Sequence, residues 1–203
     1  MASTTSDIIL SLPSDIIVRR YRTSDAATLS KHGNNKNIWD RLRNRMPHPY
    51  TEENAKFWID LSGSPESQRP TGTWNPETGA QGPQSPTQFV IVIAGEACGS
   101  IGLEFGDPVD IYFRCAEIGY WLGEEHWGKG VMSAVAPAFV EWAWQTFGIL
   151  MRLNGEVAAG NVGSRRCLEK AGFKEEALKK QAFVKDGVIH DEVHLGMLRP
   201  GSS

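Results

Sequence analysis

The stretch Gly-Glu-Glu-His-Trp-Gly-Lys-Gly-Val-Met (123–132) runs directly into SAVAPAFVEWAWQTF, whose apolar residues recur at helical spacing. Gly128 and Gly130, on either side of Lys129, strip side chains from the turn at which that helix begins. A helix leaves its first N–H groups unpaired and carries about half a positive charge at that end. Bare backbone there suits an anion, a diphosphate above all; the same glycines also suit a plain tight turn from strand to helix. Neither GxxxxGK[ST] nor GxGxxG occurs, so the turn is not a nucleotide P-loop or a dinucleotide fingerprint.

Around this turn the pattern alternates between strands and helices. IIVRRY (16–21) reads as a first strand after a frayed MASTTSD, and TSDAATLSKHG as a helix started near Thr23 or Ser24 and ended by Gly33. Ile38, Leu42 and Met46 give IWDRLRNRM helical spacing, and TEENAKFWIDLSG is a helix that Thr51 and Asn54 can cap. Strands follow at FVIVIA (89–94), CGSIGLEF (98–105) and AEIGYWL (116–122), the first two joined by a turn at Gly95 and Glu96. The long helix carries Val131, Val135, Phe139, Trp142 and Phe147 near one face, and Pro137 predicts a kink or an opened turn within it. MRLNGEV is a strand, NVGSRRCLEKAGF a short helix, and QAFVKDG with HDEVHLGML a closing strand pair. Residues 62–88 hold five prolines and four glycines without apolar periodicity, which predicts a long flexible loop within a single domain spanning 1–203.

Composition narrows the function classes. A formal net charge of -3 gives no pull toward nucleic acid or an anionic membrane, so neither is expected as a partner. Cys98, Cys115 and Cys167 lack zinc or redox spacing, so a reducing compartment and no metal are expected. No apolar run approaches the roughly 20 residues of a membrane span, and no signal-peptide pattern opens the chain. The expected location is the cytoplasm, with the nucleus also open, and the expected assembly a monomer or homodimer.

EIGYWLGEEHWGKGVMSA (117–134) and NVGSRRCLEKAGF (161–173), in that order and joined by one helix and one strand, resemble the GNAT superfamily of acyl-CoA-dependent N-acyltransferases. Within it they are similar to the RimJ/RimL-like branch, as is NNKNIWDRLRNRMPHPYTEENAKFWI (34–59). The superfamily's phosphate motif falls on Trp127, Gly128, Lys129, Gly130, Val131 and Met132; Trp127 and Met132 depart from the general pattern, while WGKG matches the branch. The resemblance implies an α/β (α+β) fold: a mixed, mostly antiparallel sheet of about seven strands, splayed between the fourth and fifth and flanked by about four helices. It implies acetyl-CoA as cosubstrate, its pantetheine arm paired with the backbone of Tyr120, Trp121 and Leu122 and its pyrophosphate held at 127–132.

The implied reaction is direct transfer of acetyl to a primary amine of a small molecule or a protein N-terminus. The amine must be neutral to attack: at pH 7 a lysine-type amine costs about 4.6 kcal/mol to deprotonate and an α-amine about 1 kcal/mol. Glu117 is the candidate base, with Glu104 second. An amide of Trp121 or Leu122 is placed to stabilise the thioester oxygen. By the resemblance Asn161 bonds the pantetheine and Ser164 lies near the sulfur; as residues, both equally suit helix capping. The tyrosine that many members carry seven residues after this asparagine is replaced by Leu168, leaving Ser164 or water as acid. Arg165 and Arg166 fall where a CoA phosphate can be met or on a solvated helix face. Trp39 is expected on the acceptor side, and the 62–88 loop as a lid over it. The competing reading is an acyl-CoA-binding sensor or inactive paralogue.

Overall fold

Val90 and Ile91 are among the most buried residues of the chain, and they sit at the centre of the sheet described by a computed structural model that covers residues 7–201. Residues 1–6 lie outside the described residues, and with them most of the segment expected to fray. Asp7 is tied in, its carbonyl accepting the Arg20 N–H at 2.9 Å. The sheet strands are β1 Ile8–Leu12, β2 Ile16–Arg19, β3 Gln88–Ile93, β4 Glu96–Phe105, β5 Cys115–Leu122, β6 Arg152–Ala158, β7 Lys174–Lys185 and β8 Val188–Leu198, and the helices are α1 Ala26–Gly33, α2 Lys36–Trp39, α3 Glu52–Gly63, α4 Val131–Thr146 and α5 Val162–Lys170. Strand order is β1-β2-β3-β4-β5-β6-β8-β7. The architecture is thus the expected α/β one, with eight strands instead of about seven and five helices instead of about four. The added strand is β1, an edge strand antiparallel to β2 whose apolar residues lie within the segment before the expected first strand.

Neighbouring strands are antiparallel except β5 and β6, which run parallel and pair at only three positions, ending with Asn154 opposite Glu117. Beyond that point the two strands part, and this is the splay anticipated between AEIGYWL and MRLNGEV. One face of the sheet buries Ile101, Leu103 and Ile118 against α4, through Val135, Phe139 and Ala143. On the opposite face Val90, Val92 and Ala97 pack with Leu29, Ala55 and Ile59 of α1 and α3. At about 25 cal/mol per Å² of apolar surface, these two layers supply the main driving force for folding.

Several local expectations hold for local reasons. Asn54 N–H donates to Thr51 Oγ1 at 3.3 Å while Thr51 N–H donates to Asn54 Oδ1 at 3.0 Å, closing the cap of α3. The hairpin between β3 and β4 forms, but its turn is Ala94 and Gly95, with φ of 48° and 85°, one residue before the expected Gly95 and Glu96, since Glu96 pairs with Ile93. Others fail for tertiary reasons. The helix read through Met46 stops at Trp39, because the chain folds back so that Trp39 Nε1 donates to the Met46 carbonyl and Lys185 Nζ to the Leu42 carbonyl. α4 runs from Val131 to Thr146 with Pro137 inside it, so the proline does not end the helix. The 62–88 segment forms two short ribbons, pairing 68–70 with 84–86 and 74–75 with 79–80. They dock on the far end of α4 and on the 106–114 connection: Trp74 lies 4.5 Å from Phe113, and Gly148 N–H reaches the Thr71 carbonyl.

Candidate active site

A cleft of about 1030 Å³ follows the parting of β5 and β6. Strand alternation decides which groups face it. Gly123 N–H donates to Cys98 O and Gly106 N–H to Cys115 O, which fixes the phase of the β4–β5 ladder. The backbone groups of Glu117, Gly119 and Trp121 therefore pair with β4, and those of Ile118, Tyr120 and Leu122 point into the gap. This corrects one expectation: the Trp121 amide is committed to the sheet, so Tyr120 and Leu122 supply the gap-facing amides. The Leu122 carbonyl is capped by Trp127 Nε1 at 2.7 Å, which anchors Trp127 across the end of the strand.

At that end the chain enters α4 through Gly128 and Gly130, with φ of 71° and 81°. A Cβ built on either glycine meets nothing within 4 Å, so both face open space. Ala134 N–H is the first to bond back, to the Gly130 carbonyl, which leaves the N–H groups of Val131, Met132 and Ser133 without intrahelical partners. Gly128, Gly130, Val131, Met132 and Ser133 all line the cleft. The exposed Lys129 is not among the lining residues, so only its backbone belongs to the turn. Bare amides, a helix N-terminus and a strand with free polar groups fit an extended, phosphate-bearing thioester cofactor.

Across the gap, Asn161 caps α5 by accepting the Ser164 N–H at 3.3 Å. Arg41 donates to Asn161 Oδ1 at 3.2 Å, and its guanidinium lies 4.9 Å from the Trp127 ring centre. The Tyr120 side chain bridges from β5 to α5, with its hydroxyl 2.9 Å from Ser164 Oγ and 3.1 Å from the Ser164 carbonyl, to which it donates. Burial pushes the Tyr120 phenol well above its ordinary value, so it stays protonated. Leu168 is 1% exposed and packs over Gly155, where a Cβ would come within 2.6 Å of Leu168 Cδ1; that position serves the core.

On the opposite face of the sheet, the register aligns Glu104 with Glu117, and Glu156 follows on β6. Arg43 Nη2 donates to Glu117 Oε2 at 2.8 Å and to Glu156 Oε2 at 2.7 Å, while Arg45 pairs with Glu104 at 2.7 Å. Burial raises the Glu117 carboxyl above its ordinary value; Arg43 opposes that rise, and Glu156 adds to it. The strand backbone between these groups is bare: Gly119 sits opposite Gly102, and its absent Cβ would point into open space.

Residues 15–174 match the family model described as Acetyltransferase (GNAT) domain. This chain belongs to the GNAT acetyltransferase family. Over 105 residues it is 35% identical to YdaF of Bacillus subtilis, covering 52% of this chain and 55% of that protein. Over 108 residues it is 33% identical to the ribosomal-protein-serine acetyltransferase of Escherichia coli, covering 53% and 57%. The matches thus span about half the length of these curated relatives. The fold extends further. The solved structure of RimL, a ribosomal-protein alpha-N-acetyltransferase in complex with coenzyme A, superposes with a TM-score of 0.73 at 19% identity over 96% of this chain and 99% of that one. The ribosomal-protein-S5-alanine acetyltransferase of Vibrio fischeri superposes at 0.72 and 18% identity over 95% and 97%. These relatives support the RimJ/RimL-like resemblance.

In this GNAT protein the cleft brings together Glu104, Glu117, Tyr120, Trp121, Leu122, Trp127, Asn161 and Ser164. Trp39 is absent from the lining residues: its ring stacks with His48 and carries Lys185 Nζ at 3.5 Å, so it fastens the 40–50 segment to the closing hairpin. Arg166 lines the cleft, but Arg165 turns to Glu169 and Glu175. Residues 62–87 contribute nothing to the lining, so the lid reading fails in this arrangement. Sequence reasoning missed Arg43, Glu156 and the Tyr120 side chain. Alternation in EIGYWL already puts Glu117 and Tyr120 on opposite faces; that both meet one cleft follows from the splay. Among the described residues, no helix is long and apolar enough to cross a membrane.

Proposed function

We propose that this GNAT protein is an acetyl-CoA-dependent N-acetyltransferase that acts on a primary amine, either of a small molecule or of a protein N-terminus. The observation that carries this reading is the splay itself, which opens the anion-suited turn of Gly128 and Gly130 and the carboxylate of Glu117 into one cleft. Bound acetyl-CoA supplies an activated acyl group. The amides of Val131, Met132 and Ser133 hold its pyrophosphate, and Asn161 with the gap-facing groups of Tyr120 and Leu122 hold the arm. The Leu122 or Tyr120 N–H offers the donor for developing negative charge.

Glu104, Glu117 and Glu156 attract an ammonium, and Glu117, its basicity raised by burial, takes the proton directly or through water. An α-amine asks about 1 kcal/mol of that base at pH 7 and a lysine-type amine about 4.6. When the Tyr120 O–H turns from the Ser164 carbonyl to Ser164 Oγ, the serine O–H is freed to donate to the leaving thiolate. This pair is the candidate substitute for the tyrosine absent at 168, and it supports turnover over the alternative of an inactive sensor.

The test is release of free thiol from acetyl-CoA with a panel of amines and N-terminal peptides. Turnover with any acceptor class supports the reading; CoA binding without release across the panel assigns the protein as a sensor.

A further inference from the structure

Away from the β5–β6 gap, His32 of α1 is buried, with 4% of its side chain exposed and a carboxylate against each ring nitrogen. Glu96 Oε1 lies 3.0 Å from Nε2 and Glu125 Oε1 3.1 Å from Nδ1. Glu96 also receives Lys31 Nζ at 2.9 Å, which fixes its carboxylate against His32 Nε2. Nδ1 faces a second carboxylate oxygen, that of Glu125. A metal cation between them would be held by both. Gly123 makes the approach possible, since a Cβ there would stand 2.7 Å from His32 Nδ1.

A third donor points to the kind of cation. The ring of His126 lies 5.8 Å from that of His32, and His126 Nε2 is 3.9 Å from Glu125 Oε1. The donor atoms of His32, Glu125 and His126 all fall within 4.8 Å of one another. Bonds of about 2.0–2.1 Å in a tetrahedron put ligand atoms about 3.3 Å apart, so modest closure brings all three into a shell. Glu96 behind the imidazole is the carboxylate partner that metal-bound histidines use to fix tautomer and ring orientation. A hollow of about 420 Å³, lined by Lys31, His32, Asn35, Glu124 and Glu125, opens beside two of the three donors, while His126 lines the β5–β6 cleft.

We propose that His32 Nδ1, Glu125 and His126 bind a divalent transition metal of the zinc class, with water as the fourth ligand. The sequence carries no such spacing because its donors come from two distant segments, α1 and the turn before Trp127. The ion ties α1 to the turn that leads into Gly128 and Gly130, and its binding is independent of the acetyl-transfer reading.

The experiment is calorimetric titration of the chelator-stripped, full-length protein with Zn²⁺, with Co²⁺ absorption as a probe of tetrahedral ligation. One equivalent is expected to bind. His126→Ala, at a partly exposed turn, abolishes binding, His32→Ala does the same if it folds, and Glu96→Gln weakens it about tenfold. His194→Ala, which disrupts the second cluster of Glu156, Glu192 and His194, leaves it intact. Absence of binding in the unaltered protein overturns the proposal. So does binding that survives His126→Ala or disappears with His194→Ala.

Discussion

The Tyr120 hydroxyl sits 2.9 Å from Ser164 Oγ, joining the middle of β5 to the first turn of α5 across the gap between β5 and β6. On the proposed mechanism the contact holds Ser164 Oγ on the leaving-group side. Ser164→Ala and Tyr120→Phe are each expected to lower kcat by about tenfold to a hundredfold, at the low end of general-acid effects because a thiolate leaves readily. As the two hydroxyls act as one unit, the double variant is expected to match the worse single variant. Multiplicative losses in steady-state kinetics would separate the two roles and refute the pairing.

On the proposed mechanism, Glu117 and Arg43 are expected to set the acid limb of the pH profile. A base must be ionised to act, so kcat/KM falls as pH drops through the Glu117 pKa, which burial has raised above the ordinary glutamate value. Arg43 favours the ionised form; Arg43→Gln removes that support and moves the limb to higher pH. Glu117→Gln is expected to cost about a hundredfold in kcat/KM and to remove the limb. A limb that persists in Glu117→Gln assigns the base elsewhere, Glu104 being the next carboxylate in the cleft.

Gly130 has φ of 81° and lies at the N-terminus of α4 with open space where a Cβ would be. Valine there meets about 1–2 kcal/mol of backbone strain and intrudes on the anion-suited turn. The dissociation constant for CoA, measured by calorimetry, is expected to rise at least about tenfold, with acceptor KM little changed. Unaltered CoA affinity would remove the phosphate role from this turn.

Gly119 takes part in a regular ladder opposite Gly102, and its missing side chain leaves bare strand between Glu117 and Trp121 on the acceptor-side face. Gly119→Val keeps the backbone geometry, since no positive φ is required, but fills the floor of the cleft. The expected result is a raised acceptor KM with CoA affinity unchanged; the reverse pattern would put the acceptor on the other face.

Seven of the eight sheet strands, the cap at Thr51 and Asn54, the glycine turn before α4 and the family resemblance were legible in the chain, because each depends on neighbours within a few residues. So was the identity of the parting strands, through the order of EIGYWL, the long helix and MRLNGEV. The tertiary fold decided what those positions do. It put Arg43 between Glu117 and Glu156, gave Ser164 a phenol from β5 in place of the position filled by Leu168, and turned Trp39 toward Lys185. It also folded 62–88 onto Phe113 and Gly148, away from the cleft. The division has one physical cause. Periodicity, caps and turn residues act through the local backbone, whereas ion pairs and side-chain bridges join segments whose distance in space is set only when the sheet assembles, and splays, around its core.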